Sequence, residues 1–332
     1  MKDVARRAET SVFTVSSVIN NTSNVSTKLR KRVLKAIKEL DYAPNSIARS
    51  LKRKKTHLIG LIISDVEDIF FPRVIKGIEE VADKEKFNFI LCNTMNDPEK
   101  EKKYLKILME KRVDGLILFP TGTSEKNLKQ FLTRQIPIVL IDREIKSSNI
   151  STVVMDDYDA SLNVTSYLIK KGHERIGIVL FPTLISTGER RLRGYIDSHT
   201  KNGIEIDQDL IKITGYTKES SYKAVMELLS LEDKPTAIFT ANDIMFLGTL
   251  KAIGNNNLRV PDDISIVTFY DFEWLKYLNP PITAVKLPTF EIGKQAGELL
   301  IKLINSKEEN YPRKIILKTK FVERDSVKSL RN

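Results

Sequence analysis

The chain has 332 residues, 41% of them hydrophobic and 29% charged, which is too long for one ordinary core and too apolar for disorder, so two or three globular domains are expected. Its longest apolar runs, such as LIGLII, are too short to cross a bilayer. The N-terminus MKDVARR lacks an apolar signal segment, so a cytoplasmic, membrane-free protein is expected.

The net charge of +11 is concentrated at the start. Residues 1–56 hold eight Lys and six Arg against Asp3, Glu9, Glu39 and Asp41, a net of +10, and the remaining body is close to neutral. A basic head on a neutral body fits either a polyanion-binding module or a merely soluble basic surface, and charge alone does not choose between them.

Patterning favours the first. Val4, Ala5 and Ala8 share one helical face, Glu9, Thr10 and Ser11 interrupt it, and Ser11 is placed to cap a second helix whose Val15, Val18 and Ile19 point inward. The outward positions of that helix are Val12, Phe13, Thr14, Ser16 and Ser17, which are uncharged; Asn20 follows at its end. A third helix opens at Ser26 and runs to about Leu40, with Leu29, Val33, Ile37 and Leu40 as its buried stripe and Lys or Arg over most of the rest. Three such helices predict a helix-turn-helix domain, in which the second helix reads base edges and flanking cations hold phosphates.

The next stretch, YAPNSIARSLKRKK, places Ile47, Ala48 and Leu51 on one side of a short helix capped by Asn45, with nothing nearby to bury them.

From His57 onward, apolar runs alternate with helical stretches. Nine strands are predicted: HLIGLIIS, FNFILCN, DGLILFP, IPIVLID, STVVMD, RIGIVLF, LIKIT, TAIFTAN and ISIVTFYD. Continuous hydrophobicity marks strands covered on both faces, hence doubly wound parallel sheets, and this many strands divide better into two lobes than one sheet. Ligands in such folds sit beyond the carboxyl ends of the strands, which places a pocket between the lobes. The lone cysteine, Cys92, excludes an internal disulfide and reads as a packed thiol on a strand.

The loops after the strands hold the candidate ligand groups. Asp65, Phe70 and Phe71 follow the first strand, Ser186, Thr187 and Arg191 the sixth, and Tyr216, Asn242, Asp243, Tyr270, Asp271 and Trp274 the later ones. Aromatic faces beside amides, carboxylates and an arginine suit a ring-shaped polar ligand such as a sugar. Each aromatic taken alone reads as core packing; their convergence on one cleft is what singles them out.

The motifs DVARRAETSVFTVSSVIN and NVSTKLRKRVLKAIKELDYAPNSIARSL, in order and at matching separations, resemble the lactose/galactose repressor (LacI/GalR) family of bacterial transcription regulators, and the resemblance runs through the chain. It implies a helix-turn-helix head at 1–44, a hinge helix and linker at 45–56, and a two-lobed periplasmic-binding-protein-like α/β domain at 57–332. The first lobe is expected at about 57–157 plus 285–315 and the second at about 158–284 plus the C-terminal segment.

It implies a homodimer on pseudo-palindromic operator DNA, with the hinge ordering only on DNA and Leu51, beside Ala48, wedged into the minor groove. Burying each leucine gains about 1.5–3 kcal/mol against a few kcal/mol for unstacking, so phosphate contacts by Asn45, Arg49, Lys52 and Arg53 decide the balance.

The resemblance also implies that Phe70 and Phe71 stack on the effector, that Arg191 grips its polar groups and that Asn242 contacts it, with Tyr216 where some relatives place another aromatic. Three positions depart from the family pattern: Tyr270 replaces a common acidic residue, with Asp271 beside it, and Phe13 and Ser17 replace a polar residue and an arginine. Phe13 is suited to a thymine methyl. The N-terminus is a residue or two shorter than the family's usual one.

No phosphate-binding glycine motif, metal-binding signature or histidine cluster appears, and His57, His173 and His199 read as structural or solvent-facing, so no enzyme, cofactor or metal is expected. The expected function is a sequence-specific repressor controlled by a small molecule, with a sugar-binding or sugar-modifying protein carrying a basic extension as the alternative. Helices near Val74–Val81 and Ile292–Leu303 serve either as a dimer contact or as intramolecular cover, and no tetramerising tail is expected.

Overall fold

The computed structural model describes residues 1–19, 25–42, 55–121, 125–146, 149–306 and 312–331, and divides into two units, Met1–Thr56 and His57–Asn332. In the first unit, α1 (Lys2–Arg7), α2 (Val12–Ile19) and α3 (Thr27–Glu39) pack around Val4, Ala5, Ala8, Val15, Val18, Val33 and Ala36, all buried. Alanines at three of these positions let short helices approach closely enough to share so small a core.

Ser11 Oγ accepts the Thr14 N–H at 3.1 Å at the start of α2, and Ser26 Oγ accepts the Leu29 N–H at 3.4 Å at the start of α3. The turn between α1 and α2 is clamped from α3: Arg32 Nη2 donates to the Ala8 carbonyl at 2.7 Å and to Glu9 Oε2 at 2.9 Å. Glu9 there takes a left-handed φ of 46°. The predicted stripe on α3 needs correction. Leu40, one residue past the helix, is 43% exposed, and Ala36 takes the inward position because the helix ends before Leu40 can turn toward the core.

Among the described residues, the second unit contains twelve strands: β1 (Leu58–Ile63), β2 (Asn88–Asn93), β3 (Gly115–Leu118), β4 (Ile138–Ile141), β5 (Ser151–Met155), β6 (Ile176–Leu180), β7 (Ile211–Ile213), β8 (Ala237–Thr240), β9 (Ser265–Phe269), β10 (Thr283–Lys286), β11 (Lys314–Leu317) and β12 (Lys320–Val322). All nine predicted runs are strands, and three more, β10 to β12, were not anticipated. The first sheet has the order β11-β5-β4-β3-β1-β2 and is parallel throughout. The second has the order β12-β10-β9-β8-β6-β7 and is parallel except for β12 at its edge.

Between strands run α4 (Phe70–Lys84), α5 (Pro98–Glu110), α6 (Lys129–Thr133), α7 (Asp157–Lys170), α8 (Ser186–Lys201), α9 (Lys218–Ser230), α10 (Asp243–Asn255) and α11 (Thr289–Asn305). Their inward faces cover strands that are almost wholly buried, such as Ser151–Met155 and Ile176–Leu180. Helices α4 and α11 carry the stretches left open between dimer contact and internal cover. They pack on each other, and a Cβ at Gly77 or Gly293 would run into the backbone carbonyl of Phe290 or Val74 respectively, so glycine permits the approach.

His173 is fully buried, its ring nitrogens 2.9 Å from Thr236 Oγ1 and 3.1 Å from the Lys328 carbonyl, and His199 sits 2.9 Å from the Tyr195 carbonyl. Both are structural. Cys92 is a buried free thiol on β2. Among the described residues, no helix is long and apolar enough to cross a membrane.

Candidate functional site

The carboxyl ends of the strands in the two sheets converge on a cleft within the second unit, as the crossover topology requires of parallel sheets. From the sites expected there, Asp65, Phe70, Thr187, Arg191, Tyr216, Asn242, Asp243 and Tyr270 line it. It leaves only about 60 Å³ of free volume, room for a few waters and less than a sugar ring. A ligand of that size enters only if the lobes separate.

Four expected residues are not in it: Ser186, whose Oγ accepts the Glu144 N–H at 2.9 Å, and Phe71, Asp271 and Trp274. Phe71 is fully buried and packs edge-on against Phe70 and Phe119, because one step of helix at the start of α4 turns it into the sheet while its neighbour faces the cleft. Asp271 is held 2.7 Å from Arg324, which takes its carboxylate away from any ligand. Trp274, on the 3₁₀ turn Glu273–Tyr277, is 39% exposed and stacks on Phe272 at 5.1 Å.

Arg191 is gripped by the protein itself. Its Nε and Nη2 donate to Asp157 Oδ1 at 2.9 and 2.6 Å, Nη1 donates to the Ala241 carbonyl, and the guanidinium lies 4.0 Å over the Phe269 ring. Burial pushes the Asp157 carboxyl up, against the pull of Arg191. Asn242 Oδ1 accepts the Met245 N–H at 2.8 Å as the cap of α10, and the residue lines the cavity. Among the described residues, Thr187 Oγ1 is buried without a hydrogen-bond partner.

Several lining groups were not singled out from sequence: Asp68, Asn96, Phe119, Asp142, Arg143 and Phe181. The signal was present, since Asp142 and Arg143 directly follow the run IPIVLI. Arg143 lies 4.1 Å over Phe119 and 5.5 Å from Tyr216, its Nη1 donating to the Pro120 carbonyl at 3.2 Å. Its buried Nε has no partner. Burial and the neighbouring Asp243 push the Asp68 carboxyl up to about 7, and burial also raises Asp142 and Asp243.

The lobes touch across the cleft mouth. Tyr270 Oη donates to the Ile69 carbonyl at 3.1 Å. Tyr270 holds a left-handed φ of 94°, which a non-glycine residue adopts only under local constraint.

In the first unit, the candidate reading surface is the outer side of α2. Phe13 is 79% exposed and Val12 42%, Ser11 is exposed, and Thr14, Ser16 and Ser17 are partly so. Asn20, Asn45, Ala48, Arg49, Leu51, Lys52 and Arg53 lie outside the described residues.

A family model described as bacterial regulatory proteins, lacI family, matches residues 1–45, and one described as periplasmic binding proteins and sugar binding domain of LacI family matches residues 56–325. The chain is 37% identical over 315 residues to a probable HTH-type transcriptional regulator, EndR, of Paenibacillus polymyxa, an alignment covering 94% of this chain and 92% of the relative. It is 35% identical to the HTH-type transcriptional repressor PurR of Aliivibrio salmonicida over 99% of each chain. Among solved structures it matches the Lac repressor dimer bound to operator and the anti-inducer ONPF, with a TM-score of 0.86, 27% identity and 98% of each chain covered. A complex of the transcriptional regulator CelR with cellobiose matches with a TM-score of 0.75 and 28% identity, again over 98% of each chain.

Proposed function

The chain belongs to the LacI family of bacterial regulatory proteins, and from that premise we propose that it is a homodimeric repressor whose operator affinity is set by a hydroxylated small molecule in the interlobe cleft. The observation that carries this reading is the cleft itself: aromatic faces, a capped amide and charged groups from both lobes surround a volume too small for a sugar until the lobes part. A ligand there has different contacts in the open and closed arrangements, and only such a difference lets binding shift a conformational equilibrium. That the Lac repressor neighbour is a dimer on operator, and that the CelR neighbour holds cellobiose, supports the same reading here.

The outer side of α2 is the proposed base-reading surface, with Ser11 to Ser17 in the major groove and Phe13 against a thymine methyl. The hinge from Asn45 to Lys52 is proposed to order on DNA with Leu51 wedged between base pairs. We assign no catalysis to the chain: the relatives are regulators, and a regulator that reads DNA works in the bacterial cytoplasm.

The test is a selection of operator sequences from randomised duplexes with the full chain and with residues 1–56 removed. The regulator reading expects specific binding by the full chain alone, weakened by Leu51→Ala more than nonspecific binding is. A sugar-binding protein with a merely basic extension would select no sequence in either form.

A further inference from the structure

We propose that the effector of this cleft carries a basic nitrogen on a hydroxylated frame, the ammonium held between Asp68 of one lobe and Asp243 of the other. This rests on the cleft being the effector site.

Charge balance is the first argument. Asp65, Asp68, Asp142 and Asp243 all line the cleft, and among the described residues none has a lysine or arginine within ion-pair distance. Arg191 is committed to Asp157, which leaves Arg143 as the cleft's guanidinium outside any carboxylate pair among those residues. The carboxylates are also unevenly spread. Asp142 feels Arg191, Arg143 and Arg190, whereas Asp243 feels Asp65 as a like charge, and Asp68 feels Asp243 and Asp142 more strongly than Arg143. Asp68 and Asp243 thus form the more acidic part of the lining, one from each lobe, while Asp142 sits among the cations.

Carboxylates crowded in this way, Asp243 buried and Asp68 half-buried, either hold protons or await a cation. A neutral polyol satisfies their lone pairs and leaves the repulsion in place; an anion adds to it. An ammonium donates to both carboxylates through charge-assisted hydrogen bonds, and because the two belong to opposite lobes it favours closure.

The cavity also leaves polar atoms unsatisfied among the described residues. Thr187 Oγ1, fully buried, and Arg143 Nε, on a side chain more than nine-tenths buried, both have no hydrogen-bond partner and belong to residues lining the same cavity. Arg143 Nε calls for an acceptor, which a ligand hydroxyl supplies. The ligand thus combines an amine with hydroxyl oxygens.

The experiment is calorimetric titration of the full chain with matched pairs: glucosamine and glucose, galactosamine and galactose, ethanolamine and ethylene glycol. In at least one pair the amine is expected to bind about tenfold more tightly or better, the scale of one charge-assisted bond, and Asp68→Asn or Asp243→Asn should bring that pair to parity. Cooperative melting of both variants shows that they fold. The inference is overturned if no amine outbinds its hydroxyl twin, or if the preference survives in both variants. A neutral sugar that binds equally well and changes operator affinity would overturn it while leaving the regulator reading standing; sequence-specific operator binding that no cleft-binding compound alters would count against that reading instead.

Discussion

Tyr270 and Ile69 face each other from the two lobes, and the Tyr270 phenol donates to the Ile69 carbonyl at 3.1 Å. A bond made only in the closed arrangement contributes to every ligand that needs closure. Tyr270→Phe should therefore weaken effector binding about 3- to 10-fold, the worth of one ordinary hydrogen bond. The lone tryptophan offers the readout: Trp274 stacks on Phe272, which meets Tyr270 edge-on at 4.7 Å. Unchanged affinity in a fluorescence titration would show that the bond is incidental.

Arg191 holds the cleft together before it can hold a ligand. Its removal strands Asp157, whose side chain is fully buried, and losing one partner of such a pair costs about 3–5 kcal/mol. Arg191→Ala should lower the urea midpoint sharply at pH 8, and adding Asp157→Asn should recover part of the loss. Because burial already pushes the Asp157 carboxyl up, the single variant protonates it on acidification and the deficit shrinks toward pH 6. A variant as stable as the parent at pH 8 would mean that the pair contributes nothing.

Most of the architecture was legible because the covered strands are unbroken apolar runs, as in LIGLII and IVLI, and each became a central or flanking strand. TAVK, KIIL and KFV were not legible. They are three or four residues long and carry lysines, and two of them lie at sheet edges, where one side meets solvent. In the cleft, the rule about strand ends located Arg191, Asn242 and Tyr270. Choosing Phe70 over Phe71 needed the phase of a helix whose first residue is Phe70 itself. Asp68, Asp142 and Arg143 were less legible because single charged residues in a loop read as solvated surface until the strand order brings them to one cleft, although perturbed charge at a strand end is the stronger sign of function.

The acidic part of the cleft lining predicts a pH dependence of stability. The Asp68 carboxyl is raised from 3.8 to about 7, so the folded state holds its proton longer than the unfolded chain does. That contribution is complete below pH 3.8 and is lost as pH rises through about 7. His173 and His199 act oppositely: burial lowers both, and their contribution is present above 6.5 and lost on acidification below it. Between pH 6.5 and 8.5 the histidines are silent and the parent should lose stability. Asp68→Asn should flatten that decline in parallel urea titrations, and an identical slope in both proteins would remove Asp68 as its source.

On α2, Phe13 is the exposed aromatic of an otherwise small and hydroxylated outer face, and Val15 and Val18 hold the helix from behind. An exposed phenylalanine gains nothing in the free head, so truncating it should leave the melting temperature nearly unchanged. Against a thymine methyl it buries apolar surface, and Phe13→Ala should cost about 1–2 kcal/mol on the selected operator and little on random duplex. Its salt dependence should match the parent's, because a base contact releases no counterions, whereas charge-removing changes such as Lys28→Ala should lower the slope. Equal weakening on both DNAs, or a shallower salt slope for Phe13→Ala, would place Phe13 outside the groove.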